Sequence, residues 1–225
     1  MRHFGITDPQ IEAYLESLTP KSEGVLADME AHAARDNVPI IGPVEGQFLY
    51  TLALATRAKD ILDVGTAIGY SAMWLGLAAR ENGGRVVTLE KDEGRAGWAE
   101  AYFRQAGMSG VCAVRRGDAL VTMNGMEETF DLIFLDILTQ FDHADTYAAL
   151  LDLCLHRLRT GGLLISDNAL RSGGVLDPGN AVPSTQGIAA FNRAVSSHPR
   201  LTTTIIPLRD GISISRKNPA GGSDA

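Results

Sequence analysis

Apolar and polar positions along this chain follow two alternating rhythms. Short apolar runs at Ile61–Val64, Val86–Glu90, Val111–Arg115, Leu132–Leu135 and Leu163–Ser166 read as strands buried on both faces. Between them lie segments with helical spacing: Ser71–Asn82, Glu93–Ala106, Ala119–Glu127 and Tyr147–Arg159. The last carries the plainest stripe, Tyr147, Leu150, Leu151, Cys154 and Leu158, and Thr160-Gly161-Gly162 is expected to stop it. Strand–helix alternation predicts an α/β fold with a mostly parallel sheet and helices on both faces. Gly187–Ser197 reads as one more helix. Thr203–Pro207 and Ile212–Ser215 are strand-like and separated by a hairpin-length turn, Leu208-Arg209-Asp210-Gly211, so one antiparallel strand is expected near the C-terminus.

The chain before Ile61 is helical in pattern. Asp8 to Asn37 reads as two helices, with Asp8-Pro9 and Thr19-Pro20 as their caps and first turns. Pro39 to Pro43 reads as a turn-rich connection, and Val44 to Thr56 as a further helix. The expected organisation is one domain over residues 1–217, with a helical extension over about 1–43 and a flexible tail at 218–225.

Composition narrows the function classes. The chain has 225 residues, 45% of them hydrophobic, enough for a full core. Twenty Lys and Arg against 27 Asp and Glu leave a net charge of −7, which disfavours a broad nucleic-acid footprint. No apolar run approaches a membrane span, and Met1-Arg2-His3-Phe4-Gly5 has no signal-peptide pattern. Cys112 and Cys154 read as small buried hydrophobes rather than a disulfide pair, and a cytoplasmic location is expected.

Candidate chemistry sits at the predicted strand ends, which face one crevice in an open α/β sheet. The first strand runs into Gly65-Thr66-Ala67-Ile68-Gly69-Tyr70-Ser71 and then a helix, a cradle for a nucleotide-like ligand. It is not a dinucleotide fingerprint, because Ala67 and Tyr70 stand at its second and third glycine positions, and it is not a P-loop, because Tyr70 stands where the Lys belongs. Glu90 ends the second strand, where a carboxylate accepts from ribose hydroxyls or caps a helix; Asp92, just beyond, reads as the cap of the next helix. Asp118, in Gly117-Asp118-Ala119, can accept from an adenine amino group or act as an N-cap. Asp136 ends the fourth strand, and Asp167 and Asn168 end the fifth. Two carboxylates and an amide oxygen make a hard donor set suited to Mg²⁺, Mn²⁺ or Ca²⁺, unless each residue merely caps a turn. Asp131, at the opposite end of the fourth strand, reads as structural.

Taken in order, Gly-x-x-x-Gly-Tyr-Ser, a strand-end Glu, Gly-Asp-Ala, a strand-end Asp and Ser-Asp-Asn resemble the cation-dependent O-methyltransferases of the catechol and caffeoyl-coenzyme A type, which use S-adenosylmethionine. The resemblance runs from about Val44-Glu45-Gly46-Gln47-Phe48-Leu49 to Asp210-Gly211 and takes in Asn168 to Val175 and Phe191-Asn192. It implies a class I methyltransferase sheet of Rossmann-like type and a homodimer. It also implies that Gly65, Thr66, Ala67, Gly69, Tyr70 and Ser71 line the methionine part of S-adenosylmethionine, with Glu90 on the ribose and Asp118-Ala119 beside the adenine. Asp136, Asp167 and Asn168 would hold the divalent cation, with Asp136 serving the cofactor and catalysis as well. The cation would chelate two oxygens of a small hydroxylated aromatic acceptor and lower a hydroxyl pKa.

One position departs from the pattern. The family has a Lys three residues after the first metal Asp, and this chain has Thr139. The link from Ile137 to Thr146 is also longer; with the extra residues placed before His143, that His falls near the missing Lys, as a base or as a solvated loop residue. Two other functions stay open: methylation of a hydroxylated tRNA base, and a catalytically weak binding protein that holds S-adenosylmethionine without turnover.

Overall fold

The computed structural model of the protein describes residues 6–177 and 179–220; the N-terminal segment Met1 to Gly5 and the end of the expected tail, 221–225, lie outside the described residues. Helices α1 (Pro9–Leu18), α2 (Val25–Asp36) and α3 (Gly42–Ala55) precede the first strand. The chain then alternates β1 (Asp60–Val64), α4 (Tyr70–Glu81), β2 (Arg85–Glu90), α5 (Glu93–Gln105), β3 (Cys112–Arg116), α6 (Ala119–Gly125), β4 (Phe130–Leu135), α7 (Ala144–Arg157) and β5 (Leu158–Ser166). It closes with α8 (Pro183–Ser197), β6 (Leu201–Ile206) and β7 (Ile212–Lys217). The seven strands are ordered β3-β2-β1-β4-β5-β7-β6. β1, β2 and β3 pair in parallel, as do β4 and β5, while β7 runs antiparallel to both β5 and β6. The expected mostly parallel sheet with one antiparallel strand is the observed one.

The described residues form two compact units, one from Ala13 to Gly125 and one taking in Met126 onward with the residues up to Glu12. In the first, β1 and β2 are buried almost throughout, and α4 buries nearly its whole length from Tyr70 to Ala79. Such a helix needs small residues where the sheet comes close: a Cβ on Gly76 would lie 2.3 Å from the Cys112 sulfur. Gly46 of α3 makes the same allowance for the Trp74 ring, 2.2 Å from where its Cβ would stand. In the second unit the core is Phe130, Leu132, Phe134, Leu150, Cys154, Leu164, Ile188 and Phe191, all essentially inaccessible.

The structure corrects four expected boundaries. α2 starts at Val25 behind Gly24, whose φ of 56° lies outside the helical region, rather than at Thr19-Pro20; Ser22, just before it, donates to Glu30. Pro43 lies in the first turn of α3, where a missing N–H costs nothing, rather than in the connection. α8 begins four residues before Gly187, on Pro183. α7 ends at Arg157, and Thr160-Gly161-Gly162 belong to β5 as an irregularity. Phe130 pairs with Leu158 while Leu132 pairs with Leu163, so the glycines are taken up between two regular stretches of ladder. Two short 3₁₀ turns, Leu138–Gln140 and Arg171–Leu176, have no counterpart in the sequence reading.

Candidate functional site

The first group of candidate residues lies in the Ala13–Gly125 unit. β1 ends at Val64, and the chain turns back through Gly65 (φ 109°), Ala67 (φ 47°) and Gly69 (φ 88°) into α4. Gly69 is required twice over: its φ is left-handed, and a Cβ there would sit 2.9 Å from the Phe103 ring. The turn is tied to β2. Gly65 and Thr66 both donate to the Leu89 carbonyl, at 3.2 and 3.1 Å, and Ala67 N donates to Glu90 Oε2 at 2.8 Å. Glu90, 7% exposed, takes the Asp92 N–H on its other oxygen at 2.9 Å. A carboxylate held by backbone donors at a strand end is fixed in position, which is what recognition of a diol requires.

Beneath the turn lies a polar cluster that the sequence reading passed over. Asp63, fully buried in β1, accepts from Ser71 Oγ at 3.0 Å and from Thr88 Oγ1 at 2.5 Å, and Thr88 in turn pairs with Thr66 at 2.6 Å. Burial pushes the Asp63 carboxyl up to about 7; the two hydroxyl donors pull it down, and the Glu90 charge adds to the rise. The signal was a lone acidic residue inside the apolar run Ile61–Val64. Tyr70, buried at the start of α4, donates to Glu30 of α2 at 2.5 Å, which ties the N-terminal helices to the turn.

Asp118 is exposed, and its Oδ1 accepts from Leu120 and Val121 N–H at 3.0 and 3.1 Å, so it caps α6, whose first residue is Ala119. Asp92 caps α5 through Arg95 N at 2.8 Å, as its position suggested.

The second group lies in the other unit. Leu135 and Ser166 are register partners on β4 and β5, and Asp167 N donates to the Leu135 carbonyl at 2.9 Å. The next residues, Asp136 and Asp167, therefore leave neighbouring strand ends side by side. Asp167 is 6% exposed, and burial pushes its carboxyl up to about 6; the Asn168 N–H and the Arg209 charge pull the other way, and the Asp210 charge adds to the rise. Asn168 follows with φ 59°, a conformation that Asn tolerates better than most residues. The donor chemistry suits a hard divalent cation: two carboxylates and an amide oxygen, one carboxylate buried where a cation would favour its ionised form. Among the described residues no group of three or more His, Cys, Asp or Glu is placed to hold a metal ion. Asp131 pairs with Arg159 at 2.7 Å, a structural role.

Thr139, at the family's Lys position, sits in the 3₁₀ turn Leu138–Gln140. That turn is fastened by Tyr147, whose hydroxyl donates to the Leu138 carbonyl at 2.7 Å, with the Phe141 and Ser184 carbonyls at 3.1 and 3.2 Å. Burial raises the Tyr147 phenol to about 12. The ring fits because position 187 is Gly; a Cβ there would stand 2.0 Å from it. His143 is exposed at the N-cap of α7, and its side chain makes no capping bond.

Comparison with known proteins fits this geometry. A family profile described as O-methyltransferase matches residues 17–218. The catechol O-methyltransferase of Niastella koreensis is 30% identical over 204 residues, covering 88% of this chain and 90% of the relative. The O-methyltransferase of Bacillus cereus, solved in complex with S-adenosylhomocysteine, superposes with a TM-score of 0.81 at 30% identity over 93% of this chain and 97% of its own. The O-methyltransferase of Streptomyces achromogenes involved in tomaymycin synthesis, solved with S-adenosylmethionine, gives 0.82 at 25% identity over 93% and 96%. The chain belongs to the O-methyltransferase family and is a transferase of the class that uses S-adenosylmethionine. The resemblance carried by the motifs is borne out.

Proposed function

We propose that this protein is a divalent-cation-assisted O-methyltransferase acting on a small hydroxylated aromatic of catechol type. The observation that carries the reading is the pairing of Asp136 and Asp167 at adjacent ends of β4 and β5, with Asn168 next in line. A bound divalent cation would supply Lewis-acid polarisation of the acceptor oxygens. The protein's own part is to hold that charge in place: Asp167 is fixed by the strand register, and its burial makes a cationic neighbour favourable. In the other unit, Gly65, Thr66, Ala67, Gly69, Tyr70 and Ser71 form the cradle for the methionine part of S-adenosylmethionine, with Glu90 on the ribose and Asp118-Ala119 at the adenine. Support comes from the backbone donors that fix Glu90 and from the left-handed turn that brings main chain to the ligand.

With Thr139 in place of Lys, no ammonium base stands on that turn. Metal polarisation of an acidic catechol hydroxyl is the route favoured here, because exposed His143 is held by no side-chain cap. A homodimer is part of the same reading, supported by Ile11, Tyr14, Leu15 and Leu18 of α1, all of which are exposed. A cytoplasmic setting agrees with two free, buried cysteines. No helix among the described residues is long and apolar enough to cross a membrane.

The deciding experiment is transfer of labelled methyl from S-adenosylmethionine to a panel of catechols, with Mg²⁺ and after exhaustive chelation. Methylation that depends on Mg²⁺ supports the reading. Full activity after chelation would end the metal's part, and S-adenosylmethionine binding with no turnover would favour the non-catalytic alternative. Methylation of tRNA in preference to catechols would move the acceptor class.

A further inference from the structure

Asp167 and Asn168 open a loop that is unusual in backbone terms: Asn168, Arg171 and Ser172 have φ of 59°, 48° and 50°, followed by Gly173 at 77°. Left to itself a run of this kind would not keep one shape, since L-residues leave the left-handed region readily. It is held from outside. Ala169 N donates to the Gly211 carbonyl at 2.9 Å, and Leu170 N donates to the Asp210 carbonyl at 2.8 Å. The Asp210 carboxylate accepts the Ser172 N–H, and Asn192 Nδ2 of α8 donates to the Ala169 carbonyl at 2.6 Å. The turn between β6 and β7 thus grips both backbone and side of the loop, with α8 closing the other flank. Gly211 has φ 84°, and a Cβ there would lie 2.3 Å from Leu170 Cγ, so the grip is close enough to exclude a methyl group.

We propose that Asp210, with Asn192, is a positioning residue for the divalent-cation site. It acts through the 169–172 backbone to fix the direction of Asn168, beside Asp167 that the strand register already holds. This rests on the cation reading given above. The argument is geometric. Asn168 is one residue from Ala169, whose N–H and carbonyl are both bound by the clamp, so the peptide that sets the Asn168 side chain has no freedom of its own. Residues that orient metal ligands in this way usually matter about as much to affinity as a weak ligand does. Burial raises the half-buried Asp210 carboxyl, and the Ser172 N–H with the Arg171 and Arg209 charges pulls it part of the way back.

The test is Mn²⁺ binding to the full-length protein, read by electron paramagnetic resonance of free Mn²⁺, on wild type, Asp210→Ala, Asp210→Asn and Asn192→Asp, with S-adenosylmethionine affinity measured in parallel. Asp210→Ala and Asn192→Asp should each weaken Mn²⁺ binding by roughly 10–100-fold. Asp210→Asn keeps an acceptor oxygen for the Ser172 N–H and should stay within about threefold of wild type. S-adenosylmethionine affinity should be unchanged in all of them, which also shows that the variants are folded. Equal Mn²⁺ affinity in wild type and Asp210→Ala would overturn the positioning role and leave the cation reading intact. Equal losses in Asp210→Ala and Asp210→Asn would overturn it too, by showing that charge rather than the loop bond is what counts. Absence of Mn²⁺ binding in wild type would overturn the cation reading itself, and this proposal with it.

Discussion

The glycine turn after β1 and the loop after β5 solve the same problem by opposite means. Each must hold main chain in left-handed conformations at a strand end, Ala67 in one and Asn168, Arg171 and Ser172 in the other. The turn after β1 is short, rich in glycine, and anchored to the strand paired with its own: Leu89 and Glu90 of β2 take its N–H groups, and Asp63 supports it from below. The loop after β5 puts three non-glycine residues in the left-handed region, with a glycine only after the last of them. Its anchors come from far along the chain, Asp210 lying 38 residues beyond Ser172. The first can be read as a local motif; the second is built only when distant elements meet. The turn is a device that neighbouring strands can build by themselves, while the loop depends on this chain's own long-range packing.

Four measurements would break or sharpen that contrast. The largest effect is expected at the loop. Asp167→Ala should lower catechol turnover by about 10³-fold, the scale of losing metal polarisation, and leave S-adenosylmethionine affinity unchanged. If calorimetry showed cofactor affinity falling in step, the division of labour between the two regions would be wrong. In the turn, Glu90→Ala should weaken S-adenosylmethionine by roughly 1–3 kcal/mol, the worth of lost charge-assisted hydrogen bonds. Mn²⁺ binding should be untouched, and an unaltered cofactor Kd in the folded variant would remove Glu90 from the site.

The third test concerns the support under the turn. The Asp63 carboxyl stands at about 7 in the folded protein against 3.8 ordinarily, so the folded state holds a proton that the unfolded chain has released between those values. Its contribution to stability is complete below pH 4 and is lost as pH rises through about 7. Asp63→Asn cannot ionise, so its melting temperature relative to wild type should improve steadily from pH 5 to about pH 8. A difference that stays flat across this range would show that Asp63 ionises normally in the fold. The smallest effect is expected at His143→Ala, whose turnover should stay within about twofold of wild type. A loss of 10²-fold or more, the range of a positioned general base, with Mn²⁺ still bound, would make His143 the base.

The contrast also explains what the sequence could tell. Strand ends and their acidic residues were legible because a parallel strand is a short apolar run and each of Glu90, Asp136 and Asp167 interrupts or ends one. Thr160-Gly161-Gly162 was read as the end of a helix that in fact stops at Arg157, and local composition could not show that β5 had already begun, because that depends on Phe130 finding Leu158 across the sheet. The start of α2 was missed for a similar reason: Thr19-Pro20 is a good cap locally, and nothing in the local sequence shows that Gly24 breaks from the helical conformation just before Val25. The clamp on the loop left just one trace, Asp210-Gly211 and Phe191-Asn192 standing among the family-like segments with no chemistry of their own to explain them.

The place of β7 has a consequence for synthesis. It pairs with β5 on one side and β6 on the other, and Lys217 at its end donates to the Leu155 and Leu158 carbonyls at 2.6 and 2.5 Å, where α7 gives way to β5. A nascent chain that has emerged only as far as the β6–β7 turn therefore has β5 with one edge bare and its helix junction unsealed. Exposed edges of this kind invite pairing with other chains. For a protein made from its N-terminus, the strand that completes this part of the sheet leaves the ribosome well after β5, and the loop bearing Asp167 and Asn168 can set only after it.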